Sequence, residues 1–146
     1  KNAGTEMPKE FQSQSAYILE MLKTDFANTS ENYAKLVLLT DLTDKVIAGR
    51  VVSDYRNMDK SIGFSLISDA FSYYGRERDL MKQLKHKMYL INVDYYPTNE
   101  ELVKKYAASG CDIIQIKGTC HFPMIENPNE FNLLLQETII KNEFKG

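Results

Sequence analysis

Apolar positions change their spacing part-way along the chain, and the change divides it in two. Over residues 9–84 they recur with helical spacing. Ile18, Leu19, Leu22 and Phe26 form one stripe of an amphipathic helix that starts near Lys9. Asn28-Thr29-Ser30 predicts its end, with Ser30 as cap of a second helix on which Tyr33, Leu36, Val37 and Thr40 share a face. Thr43-Asp44 opens a third helix, with Val46, Ile47, Val51 and Tyr55 inward. Asp59 caps a fourth, along which Ile62, Leu66, Ile67, Ala70, Phe71 and Tyr74 keep the helical period. Gly75 stops it, and residues 76–84 read as a short fifth helix. Residues 1–8 (KNAGTEMP) read as a loose polar tail.

From residue 87 the pattern shifts to short apolar runs. Residues 87–93 (KMYLINV) suit a buried strand, and Asp94-Tyr95-Tyr96-Pro97 a turn. Thr98 with Glu101 forms a capping box for a helix over residues 99–108, which Ser109-Gly110 ends. Residues 112–117 (DIIQIK) read as a second strand and residues 118–127 as a loop. Pro128 begins a last helix with Phe131, Leu134, Leu135 and Ile139 on one face. A helix between two strands implies a right-handed crossover and parallel pairing. The predicted class is α/β, with a helical segment over 1–86 and a strand-helix-strand-helix unit over 87–146. Two parallel strands alone leave open edges, so the pattern predicts part of a larger sheet or self-association through those edges.

With 146 residues, the chain has one domain's worth of sequence. A net charge of −2 gives no electrostatic footprint for nucleic acid, and no apolar run approaches a membrane span. Two cysteines, Cys111 and Cys120, are too few for a disulfide framework, which weakly favours a reducing, cytoplasmic setting. The first residue is Lys1 rather than Met, which reads as a removed start or leader.

Chemistry concentrates in one loop. His121 follows the second strand, at the carboxyl end where open parallel sheets place ligand-binding and catalytic groups. An imidazole moves protons near neutral pH, although a loop histidine also serves simply to bond backbone. Asp94 directly follows the first strand and is either a turn residue or a partner to the imidazole. Cys120 beside His121 invites a cysteine-nucleophile reading, but sequence neighbours project apart. His121, Cys120 and Asp112 have no metal-ligand spacing, and no metal or cofactor is expected. His86 reads as a surface residue. Phe64, Phe71, Tyr73 and Tyr74 are candidates either for an apolar pocket or for helix packing.

Residues 118–131, Gly118-Thr119-Cys120-His121-Phe122-Pro123-Met124-Ile125-Glu126-Asn127-Pro128-Asn129-Glu130-Phe131, match every fixed position of a G-x-x-H-F-P-M-x-E-x-P-x-x-F pattern. This stretch resembles the C-terminal signature of α/β-hydrolase fold enzymes. The resemblance implies that His121 is the general base, that Asp94 is the acid orienting it, and that residues 9–84 correspond to cap and connecting helices. Many relatives carry the acid two residues later, where this chain has Tyr96. The family's G-x-S-x-G elbow is absent: Gly63-Phe64-Ser65 lacks the second glycine, Ile67 standing in its place. By the family's chain order the nucleophile would lie upstream of Lys1. The resemblance therefore implies the C-terminal part of an enzyme acting on a small ester or related acyl substrate, inactive by itself and paired with a missing N-terminal half. The rival expectation is a non-catalytic interaction module that associates through its open strand edge.

Overall fold

The computed structural model describes residues 9–73 and 76–143. The predicted tail (1–8), Tyr74 and the Gly75 stop lie outside those residues. Helix α1 spans Lys9–Thr24 and α2 Phe26–Tyr33, with a π-helical turn over Ala34–Leu38. Then come α3 (Lys45–Asn57), α4 (Lys60–Ser72) and α5 (Arg76–Gln83). Strand β1 (Met88–Val93), α6 (Glu100–Tyr106), β2 (Cys111–Ile116), α7 (Pro123–Glu126) and α8 (Pro128–Glu143) complete the order. The two strands pair in parallel, from Met88 opposite Cys111 to Val93 opposite Ile116. Among the described residues no third strand flanks either one. The protein is thus a mostly helical α/β fold with a small parallel sheet.

Short acidic caps set the helix starts. Asp44 accepts from the N–H groups of Val46 and Ile47, and Asp59 from those of Ser61 and Ile62. Two expected caps fall elsewhere. The first break comes at Asp25, which caps α2 by accepting from the Asn28 N–H, so residues 28–30 are helical. Ser30 is a buried helix residue rather than a cap, and its Oγ has no hydrogen-bond partner among the described residues. In the second half Asn99, not Thr98, caps α6 through the Leu102 N–H. The Thr98 hydroxyl is instead occupied by the Asn92 side-chain amide.

Several expected inward faces are rotated. The turn after Tyr33 is wound as a π helix, so Ala34 and Leu38 go inside while Leu36 and Val37 face out. Val46 is 81% exposed, although Ile47, Val51 and Tyr55 do turn toward the core. On α4, Ile62 and Leu66 are exposed and Gly63 is buried. A Cβ on Gly63 would stand 2.3 Å from the Phe26 ring, so α2 and α4 cross at a point where only glycine fits. On α8, Phe131 and Leu134 are half-buried, while Leu135 and Ile139 face outward. The loop expected over 118–127 contains α7, with Pro123 at its first position.

The core joins the two halves. Ala34, Leu39 and Val51 are buried together, flanked by Ile47, Ala48, Val52 and Tyr55 from the helical half. Phe122 and Ile125 reach the same cluster from the segment after β2. The Tyr55 and Phe122 rings meet edge-on at 6.5 Å. The histidine loop is therefore seated on the helices that precede the sheet.

Candidate active site

Both strands end at the same edge, and both expected site residues lie there. The Asp94 N–H donates to the Ile116 carbonyl at 3.2 Å, continuing the ladder one step past β1. Across the edge, the Gly118 N–H donates to Asp94 Oδ1 at 3.1 Å. Gly118 has a φ of +69°, a left-handed conformation that turns the chain sharply off β2 and that a side chain would strain. Asp94 thus anchors the turn from which the histidine loop departs. His121 lies three residues further on, within about 11 Å of Gly118 even for an extended chain.

The His121 side chain is exposed, while Cys120 and Thr119 before it are buried. Its imidazole stands edge-on to the Phe122 ring at 5.1 Å. Its backbone N–H donates to the Leu38 carbonyl at 3.4 Å, at the end of the π-helical turn. Among the described residues no hydrogen bond or ion pair joins the imidazole to the Asp94 carboxylate. The structure brings the two residues to one edge without linking their side chains.

Other candidates sort by position. The Cys120 thiol is 2% exposed, and burial pushes its pKa above the ordinary thiol value, against a weaker opposing hydrogen bond from His121. A buried thiol of that kind is not a nucleophile near neutral pH. Asp112 sits at the opposite end of the sheet, four residues and about 13 Å of strand before Ile116, where it pairs with Lys87 at 2.7 Å. That ion pair raises the Lys87 pKa. Asp112, Cys120 and His121 therefore form no cluster, and no three His, Cys, Asp or Glu side chains among the described residues are grouped to hold a metal. His86 is exposed.

The described aromatic candidates each have their own surroundings. Phe71 packs edge-on against Phe11 at 6.0 Å, Tyr73 lies under the Arg76 guanidinium, and Phe64 borders a surface depression with Lys23 and Lys60. A different groove, of about 360 Å³, runs beside the π-helical turn. Its walls are Leu39, Ala48 and Val52, and its rim carries Lys35, Thr40 and Asp41.

One residue at the site was given no role from sequence. Glu126, the last residue of α7, turns its carboxylate back on the loop. Oε2 accepts from the Cys120 N–H at 3.0 Å and Oε1 from the Phe122 N–H at 3.1 Å. The Thr43 hydroxyl also donates to Oε2, at 3.2 Å. The local signal was present: Pro123 marks a helix start, and an acid one turn into a helix can reach back to the cap N–H.

Comparison with solved structures finds a similar fold in a hydrolase from Oleispira antarctica. The TM-score is 0.66 and the identity 12%, over 95% of this chain and 49% of that one. The chain has a hydrolase-like fold. It spans about half the length of that hydrolase, and at this identity the likeness shows the fold alone. No protein-family pattern and no curated protein matches the chain.

Proposed function

We propose that this chain is the C-terminal part of an α/β-hydrolase-like enzyme that cleaves an ester or related acyl bond. The observation that carries the reading is the exposed His121 imidazole, held on a bonded loop at the carboxyl edge of a parallel strand pair. In this reading His121 accepts the proton of a serine hydroxyl supplied by chain upstream of Lys1. The serine oxygen then adds to the acyl carbon, and the same proton passes from the imidazolium to the leaving oxygen as the ester bond breaks. Water repeats the sequence to release the acid. Asp94 stabilises the imidazolium and orients its ring, using the carboxylate edge left over from the bond to Gly118. The groove of Leu39, Ala48 and Val52 offers apolar wall for an acyl substituent. The α/β-hydrolase signature at residues 118–131 and the hydrolase-like fold support the reading.

The test is hydrolysis of a chromogenic short-chain ester by this chain and by any longer product of the same reading frame. Activity is expected in the longer product only. There His121→Ala lowers kcat by about 10²–10⁴-fold with folding retained. Unchanged activity in that variant removes the base assignment. A second reading, a non-catalytic module that recruits another chain by strand pairing, draws on the two-stranded sheet, beside which the described residues form no third strand. It prevails if no product of the frame hydrolyses esters and the isolated chain associates through β1 or β2.

A further inference from the structure

We propose that Glu126 is the positioning residue of the histidine loop, clamping the backbone on both sides of His121 and tying it to the helical half through Thr43. The proposal rests on the reading of His121 as the proton carrier.

Three consecutive amides around the histidine are all bonded, in alternating directions. Those of Cys120 and Phe122 go to the two oxygens of Glu126, and that of His121 goes the other way to the Leu38 carbonyl. The backbone bends at His121, and with its flanking amides tied to Glu126 the His121 side chain is exposed while that of Cys120 is buried. Thr43 extends the clamp. Its hydroxyl accepts from the Thr40 N–H at 3.2 Å while donating to Glu126. Leu38 ends the π-helical turn, and Thr40 and Thr43 lie between it and α3, so one short stretch of the helical half holds the loop at two points.

The chemistry calls for a carboxylate. Two backbone donors approach two different oxygens, and an ionised carboxylate offers acceptors on both. A glutamine offers one oxygen and one NH₂ group. Whichever way it is turned, one of the Cys120 and Phe122 N–H groups faces another donor and loses its partner.

The test uses Glu126→Gln in this chain, with amide hydrogen exchange and the imidazole resonances read by NMR. In the wild type the Cys120 and Phe122 amides are expected to be protected, and His121 to give one narrow set of ring signals. In Glu126→Gln at least one of those amides exchanges about tenfold faster or more, and the His121 signals broaden or split. His86, exposed and remote in sequence, keeps its signals, and the amides of α8 keep their rates. Wild-type rates and unchanged His121 signals in the variant overturn the proposal. So does fast exchange of both amides in the wild type, which needs no variant to fold. Should Glu126→Gln fail to fold, Thr43→Val spares both amide bonds and is expected to disturb the His121 signals alone; undisturbed signals there also overturn the proposal. None of these readouts depends on ester hydrolysis, so an absent activity counts against the catalytic reading and not against the clamp. In an active longer product, Glu126→Gln lowers kcat about tenfold or more and leaves KM nearly unchanged, as displacement of the imidazole requires.

Discussion

The helices of residues 9–73 and the loop of residues 118–127 are built by different means. Three helix starts in the first region, those of α2, α3 and α4, are set by an acid within three residues of the amides it accepts from, at Asp25, Asp44 and Asp59. The loop has its own local bonds through Glu126 but is tied down by partners far away in the chain: Thr43 is 83 residues from Glu126, and Leu38 takes the His121 N–H. Local bonds survive any rearrangement of the tertiary structure that keeps the helix. Distant ones exist only when both regions are docked. The site at the carboxyl edge of the sheet therefore depends on a helical region that supplies no candidate catalytic side chain.

If that docking makes one cooperative unit, core deletions on either side must be felt on both. Leu22 and Ile116 are each almost completely buried, one in the helical half and one in β2. Leu22→Ala and Ile116→Ala should each cost about 2–5 kcal/mol. Followed by helix circular dichroism and by resonances of the histidine loop, each variant should show one shared transition, shifted down. Separate transitions for the two probes would break the comparison, by showing that the loop and the helices fold apart.

A smaller effect is expected at the α2–α4 crossing. Gly63→Ala places a methyl group against the Phe26 ring and 2.9 Å from the Met58 sulfur. Moving those neighbours should cost about 1–3 kcal/mol in urea unfolding. A neutral result would mean that the two helices have slack to separate, so that the helical half is a looser platform for the loop than its contacts imply.

The smallest effect concerns the local caps themselves. The Ser61 hydroxyl, then the N–H groups of Ile62 and Ser61, hold the Asp59 carboxyl below its ordinary pKa. A carboxyl lowered on folding stabilises the fold above its unfolded value, and the contribution is lost as pH falls below about 4. Asp59→Asn keeps a good cap without the charge, so its melting temperature should fall less steeply between pH 5 and 3 than that of the wild type. Parallel acid limbs would show that the cap charge does nothing for α4.

Much of this architecture could be read along the chain. Five helices, a strand, a helix, a second strand and a final helix follow from periodicity and punctuation, and the parallel pairing follows from the crossover. Asp44 and Asp59 were readable as caps because a cap and its amides are sequence neighbours. Asp25 was missed because Phe26 continues the apolar stripe of Leu19 and Leu22 straight across the break. The outward turn of Leu36 and Val37 has one cause: the π-helical turn at residues 34–38 changes which residues of that turn share a face, and no local residue pattern announces an extra residue per turn.

At the candidate site the division is the same. Sequence alone placed His121 and Asp94 just beyond two strands, since strand ends and a loop histidine are local features. Only the tertiary structure set Asp94 against the Gly118 amide, buried the Cys120 thiol, separated Asp112 by the length of a strand, and brought Thr43 and Leu38 to the loop. Each of these depends on which surfaces the halves turn toward each other. That choice is made by the summed burial of Ala34, Leu39, Val51, Phe122 and Ile125, residues scattered across more than ninety positions that become neighbours only when the chain is folded.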